Sequence, residues 1–206
     1  MARDGGVLNL PIKALCVFAG SNSGTDPIFA ATARAMGEAL ARRGITLVFG
    51  GGRVGLMGAV SQGARTAGGK VVGIIPSALQ RKELAYDGVD LTELIVVRSM
   101  HERKARMSEL SDGFVALPGG FGTFEEICEM ITWAQLGIHR KPCGVVNVAG
   151  YFDGLLAQFD RAVADGLLRA GHRGLVVAEA DPERLVDRMA AWEPPPLEFH
   201  LNWSAT

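Results

Sequence analysis

Leu117-Pro118-Gly119-Gly120-Phe121-Gly122-Thr123-Phe124-Glu125-Glu126 follows a short apolar run, Phe114-Val115-Ala116-Leu117, and precedes a helical pattern over 124–138. The apolar run has the length and composition of a buried strand. Between strand and helix stand three glycines in four residues, at 119, 120 and 122. Without a Cβ, such a turn lets a ligand come close to the backbone N–H groups. A helix starting just beyond it offers unpaired N–H groups and the positive end of its dipole. Strand, glycine turn and helix in that order make an anion site, most often for phosphate. Glu125 and Glu126 fall in the first turn beside it, which suggests a phosphorylated substrate with chemistry close by. A structural reading competes: Thr123-Phe124-Glu125-Glu126 fits a capping box, with Thr123 as N-cap and Glu126 bonding back to its backbone. This stretch alone leaves both open.

Outward from it, the same unit recurs along the chain. Residues 12–18 form an apolar run that opens into Ala19-Gly20-Ser21-Asn22-Ser23-Gly24. Thr25 or Asp26 then caps a helix with Pro27 at its first position, and Gly44 stops it. Residues 45–49 read as a second strand, running into Gly50-Gly51-Gly52-Arg53-Val54-Gly55-Leu56-Met57-Gly58 and a helix to about 67. Further strands are expected at 70–75, 94–97, 114–117, 142–148 and 174–178, with helices at 100–111, 152–164 and 182–192. Residues 77–93 read as a long polar loop, a feature that is usually functional in a compact domain. Strands alternating with helices predict an α/β fold: one doubly wound, Rossmann-like parallel sheet of about seven strands with helices on both faces. One domain is expected over 1–206, with 1–11 and 194–206 as flexible ends. Ligands of such folds bind beyond the carboxyl ends of the strands, so the loops after the first, second and fifth strands should line one crevice. The first strand lacks a G-x-G-x-x-G turn, which disfavours a dinucleotide dehydrogenase. The second glycine loop lacks a following Lys-Ser/Thr, so it is not a Walker loop.

The helix over 100–111 carries an anomaly. Met100, Met107 and Leu110 mark its apolar face, yet Arg103 and Lys104 fall on or beside that face. A permanent charge pointing inward needs an anionic partner. Glu102 and Arg106 read as an ordinary i,i+4 surface pair. For Arg103 the structural alternatives are a buried ion pair or a side-chain stem that snorkels to the surface.

The remaining composition mostly excludes. With 206 residues, a net charge of −1 and 48% hydrophobic residues, the chain can bury one sizeable core and shows no basic patch for nucleic acid. No apolar run approaches the ~20 residues needed to span a bilayer. The N-terminus lacks the apolar core of a signal peptide. Cys16, Cys128 and Cys143 are odd in number and lie in apolar surroundings, so buried free thiols and a cytoplasmic setting are expected. His101, His139, His172 and His200 show no metal-ligand spacing, and no metal site is expected.

Taken together, Gly50-Gly51-Gly52-Arg53-Val54-Gly55-Leu56-Met57-Gly58, Met100-His101-Glu102-Arg103-Lys104, the Pro118–Glu126 motif and Trp133-Ala134-Gln135-Leu136-Gly137-Ile138-His139 resemble the LOG (Lonely Guy) family over roughly residues 13–190. The resemblance implies hydrolysis of the N-glycosidic bond of N6-substituted adenosine 5′-monophosphates, giving a free cytokinin base and ribose 5-phosphate. It implies Arg103 and Glu126 as the catalytic pair. It implies substrate contacts from Ser21, Gly51, Gly52, Glu83, Met100, Lys104, Gly119, Gly120, Phe121, Gly122, Thr123, Phe124, Glu125 and Thr132. It further implies a nucleoside 5′-monophosphate as ligand, no cofactor and a homodimer. Ser21-Asn22 departs from the Ser-Ser of many members, and the loop carrying Glu83 is longer than in plant relatives. The older label "lysine decarboxylase" finds no support, since nothing here resembles a lysine site for pyridoxal phosphate. The alternatives are a nucleosidase for plain AMP or another nucleoside monophosphate, and a carrier of a nucleotide or molybdenum cofactor without turnover.

Overall fold

Along β1 (Ala14–Phe18), successive side chains enter opposite layers: Leu15 and Val17 one, Cys16 and Phe18 the other. The same alternation holds in β2 (Thr46–Phe49) and β5 (Gly113–Ala116), as expected of strands buried on both faces. The computed structural model describes residues 12–80 and 91–196. Its other elements are α1 (Pro27–Arg42), α2 (Gly55–Thr66), β3 (Val71–Pro76), α3 (Ser77–Gln80), β4 (Glu93–Val97), α4 (Met100–Glu109), α5 (Phe121–Gln135), β6 (Cys143–Val146), α6 (Asp153–Ala164), α7 (Ala170–Arg173), β7 (Val176–Glu179) and α8 (Pro182–Ala190). All strand pairings are parallel, in the order β4-β3-β2-β1-β5-β6-β7.

One layer is built by α1, α2 and α8 through Ala33, Met36, Leu40, Leu56, Val60, Ala64, Leu185 and Met189. Helices α1 and α2 meet backbone to backbone. A Cβ on Gly37 would lie 2.1 Å from the Val60 carbonyl, and one on Gly63 2.1 Å from that of Arg34. The other layer is closed by Met107 of α4 and Ile127 and Met130 of α5, with Leu155, Leu156 and Phe159 of α6 packed against it.

Helix starts follow local chemistry. Asp26 caps α1 by accepting from the Ile28 N–H at 2.9 Å, and Asp181 caps α8 by accepting from Arg184 at 2.9 Å. Some boundaries differ from expectation. Residues 77–80 form a helical turn where a loop was expected, and β4 begins at Glu93. The expected helix over 124–138 begins earlier, at Phe121, and ends at Gln135, where Leu136 and Gly137 close its last turn. The expected flexible ends lie largely outside the described residues. All three cysteines are free thiols.

Candidate active site

The chain winds outward from β1 to β4 and then returns to place β5 on the other side of β1. A crevice opens where the winding reverses, at the carboxyl ends of β1 and β5. Gly20 ties the loops there together. Its N–H donates to the Pro118 carbonyl at 3.0 Å, and its carbonyl accepts from Leu56 at 2.9 Å and Met57 at 3.3 Å. The head of α2 is therefore occupied by the protein's own backbone, and the second glycine loop is packing rather than an anion cradle. Gly55 has φ +60, and a Cβ there would lie 2.3 Å from the carbonyl carbon of Ser21.

The head of α5 differs. Gly120 is its N-cap and no side chain caps it. The N–H groups of Phe121, Gly122 and Thr123 have no intrahelical acceptor. A Cβ at Gly120 or Gly122 would meet nothing within 4 Å, so packing within the protein does not demand glycine at either position. Both line the open cleft, where a ligand can approach the backbone. The capping box expected at Thr123 and Glu126 is not formed. Thr123 is the third residue of α5, 4% exposed, with its hydroxyl packed on Gly119. A capping arrangement occurs instead at the head of α4. There Ser99 accepts from the Glu102 N–H at 3.1 Å and Glu102 accepts from the Arg98 N–H at 2.9 Å. This cap fixes the start of α4, on which Arg103 is buried. It also engages Glu102, so the expected Glu102–Arg106 pair is replaced by Arg98–Glu102 at 3.4 Å and Arg106–Glu109 at 2.9 Å.

Glu126 turns from its own helix toward Arg103. Their Oε1 and Nη2 lie 3.3 Å apart, and the residues are 7% and 9% exposed. A tight charge-assisted bond is shorter, roughly 2.7–2.9 Å. Among the described residues Arg103 Nε is buried without a partner, and Nη1 meets the Met100 sulfur, at 3.7 Å. The guanidinium thus keeps donors to spare beside the cleft. Gly50 makes room for it: a Cβ there would lie 2.1 Å from Nη2. Burial pushes the Glu126 carboxyl above the usual carboxylate range; Arg103 opposes this without cancelling it, and Glu125 adds to the rise. Lys104, next along α4, faces away from the pair. Its Nζ binds Glu125, and Glu129 at 3.0 Å. Burial works to lower the Lys104 pKa, but its hydrogen bonds to Glu125 and Glu129, with their negative charge, outweigh it and the net shift is upward.

The cleft encloses about 300 Å³. Of the expected residues it gathers Ser21, Met100, Arg103, Gly120, Phe121, Gly122, Thr123, Glu125 and Glu126. Gly51, Gly52, Lys104, Gly119, Phe124 and Thr132 do not line it. Gly51 has φ +73 and packs on Ile75 to turn the chain. Phe124 stacks on Tyr151. Thr132 donates to the Cys128 carbonyl at 2.8 Å and lines a separate groove of about 130 Å³ with Ile131, Phe159 and His172. Glu83 lies outside the described residues. The expectation that Met100, Met107 and Leu110 share one inward face holds for Met107 and for Leu110, which packs against the same core, but not for Met100. Met100 is 44% exposed at the cleft and Leu110 is half-buried. Met57, Met107, Val17 and Phe18 line it as well without having been expected there, whereas Gly20 and Gly50 were expected only as members of the loops after the first and second strands. For Gly20 and Gly50 the available signal was their place at the ends of strands facing the crevice.

The family described as "Possible lysine decarboxylase" matches residues 57–189. "Probable cytokinin riboside 5'-monophosphate phosphoribohydrolase LOGL9" of Oryza sativa subsp. japonica is 48% identical over 191 residues, covering 93% of this chain and 83% of that one. "Cytokinin riboside 5'-monophosphate phosphoribohydrolase LOG5" of Arabidopsis thaliana is 47% identical over 182 residues, covering 88% and 79%. The chain belongs to the LOG family. A solved molybdenum cofactor binding protein from Rippkaea orientalis shares the fold at a TM-score of 0.64 and 25% identity, covering 86% of this chain and 95% of that one. The molybdenum cofactor carrier protein of Chlamydomonas reinhardtii does so at a TM-score of 0.65 and 22% identity, covering 87% and 98%. Within the LOG family the decarboxylase label fits this cleft poorly. Among the described residues no lysine lines it, and Lys104 beside it is engaged by two carboxylates.

Proposed function

We propose that this LOG-family protein hydrolyses the N-glycosidic bond of N6-substituted adenosine 5′-monophosphates to the free base and ribose 5-phosphate. The observation that carries this reading is the buried Arg103–Glu126 pair beside the uncapped head of α5. The 5′-phosphate sits on the N–H groups of Phe121, Gly122 and Thr123. This places the ribose by Glu126 and the base toward the apolar side of the cleft, where Met57, Met100, Met107 and Phe121 suit an apolar N6 substituent. The bond from the anomeric carbon to the base nitrogen breaks with its electron pair leaving on the base, and positive charge develops on the sugar. The Glu126 carboxylate stabilises that charge and takes a proton from the water that adds to the anomeric carbon. The departing base takes up a proton from solvent, and Glu126 gives up to solvent the proton it took from water, which restores the carboxylate. Arg103 holds the carboxylate in place and keeps it ionised against burial.

The test is a panel of nucleoside monophosphates and their ribosides, with release of the free base as readout. A kcat/KM for the monophosphate at least about a hundredfold above that for the riboside is expected, the order of loss when several charge-assisted bonds go unmade. Equal values for the two would remove the phosphate site. Tight binding of monophosphates with no base released would favour a carrier.

We also propose a homodimer formed through α5 and the turn after it, where Ile131, Trp133 and Leu136 are half-buried and Ile138 is 43% exposed. Light scattering at micromolar concentration should give twice the mass of one chain. The mass of a single chain would reject this.

A further inference from the structure

Tyr151 stands outside the cleft, in the turn after β6, yet its hydroxyl donates to the Gly119 carbonyl. That carbonyl and the N–H of Gly120 belong to one peptide unit. In a trans peptide the two point in opposite directions. Drawing the oxygen out toward Tyr151 turns the Gly120 N–H the other way, to the side on which Gly120 lines the cleft. A flip of this peptide would instead aim a carbonyl oxygen at an anion on the head of α5. Steric hindrance does little to prevent it, because neither residue has a Cβ. A hydrogen bond to the carbonyl is the remaining restraint.

The turn that presents Tyr151 is itself unusual. Ala149 has φ 51, the one positive φ at a non-glycine position among the described residues. L-residues with a Cβ avoid this region, and such outliers persist where the surroundings enforce them. Asn147 enforces it here. Its side-chain Nδ2 donates to Asp153 at 2.7 Å and its side-chain Oδ1 accepts from the Phe152 N–H at 2.7 Å. The tyrosine ring is then held by Phe124, stacked at 6.4 Å, and by Phe29 and Phe152, edge-on at 5.6 and 5.2 Å. A strained turn and three aromatic contacts thus converge on one hydroxyl.

We propose that Tyr151 is a positioning residue for the substrate phosphate, locking the Gly119–Gly120 peptide with its N–H toward the anion. This rests on the reading of the cleft as a nucleoside monophosphate site. Tyr151→Phe keeps the ring and removes only the donor. Calorimetric titration of the wild type and the variant with AMP and with adenosine tests it. The Kd for AMP is expected to rise about tenfold, as for the loss of one hydrogen bond. The Kd for adenosine and the thermal midpoint should stay as they are. An unchanged Kd for AMP overturns the proposal, and so does equal weakening toward AMP and adenosine, which marks a general loosening of the site. A wild-type protein that binds AMP no better than adenosine instead refutes the phosphate reading itself.

Discussion

Arg103→Ala is expected to lower kcat/KM by about a thousandfold or more while the protein stays folded, the order seen when a preorganised charge is removed from a catalytic site. Removing one member of a buried ion pair usually destabilises strongly, because the other charge is stranded. Here the stranded group has an exit. Burial already raises the Glu126 carboxyl, and Arg103 is the main influence pulling it back down. Without the cation the Glu126 carboxyl rises further and takes up a proton more readily, which relieves the buried charge. The fold is spared, and the carboxylate needed beneath the sugar is lost. Residual activity should therefore shift its acid limb to higher pH. Arg103→Lys should recover little, because an ammonium cannot reproduce the planar fork that spans Glu126 and the substrate. Measuring kcat and the thermal midpoint on the same preparations separates this from a purely structural pair. A structural role predicts a large drop in midpoint with normal turnover in whatever protein remains folded. A stable and fully active Arg103→Ala variant would exclude both.

Glu126→Gln should abolish turnover, by about a thousandfold or more, without loss of stability at neutral pH. No cap is lost, since Glu126 does not cap α5. The sign of the stability effect follows from linkage. The folded state holds the Glu126 proton more tightly than the unfolded chain does, with a carboxyl above its ordinary 4.5. Stability from this group is fully present below the unfolded value and falls as the pH rises through the folded value. Above the folded value the wild type carries that penalty, and a neutral glutamine does not. The Gln variant should accordingly melt at the same temperature as wild type or a few degrees above it near pH 7. This difference should shrink as the pH drops toward 4, where the wild type is protonated too. Thermal melts of both proteins across that range check it. A Gln variant much less stable at pH 7 would make the ion pair a net structural contributor, and full activity would return Glu126 to a structural role.

Much of the architecture was legible from local pattern. Apolar runs separated by glycine turns and amphipathic helices implied the doubly wound sheet, because a strand buried on both faces and a helix with one apolar stripe have few other ways to pack. Asp26 and Asp181 announced their helices because capping is a contact across two or three residues. Arg103 drew notice for the same reason: a cation in phase with Met107 on a ten-residue helix is visible without knowing what it meets.

What that cation meets was a tertiary matter. Local pattern left Thr123 and Glu126 open between a capping box and a functional site; with Arg103 brought alongside, α5 begins at Phe121 and the carboxylate turns to the guanidinium. A buried charge 3.3 Å away outweighs a cap that the backbone can do without. The two glycine loops looked alike as sequence. Only the approach of Gly20 decided that its carbonyl fills the head of α2 and leaves the head of α5 open. Gly50 belonged to a turn by composition and proved to be the space for Nη2 of a residue more than fifty positions along the chain. The sequence by itself therefore determined the elements and the residues capable of chemistry, because both depend on neighbours a few positions apart. The tertiary structure decided which helix head stays unfilled and which carboxylate faces the arginine, because those depend on close contacts between segments far apart in the chain.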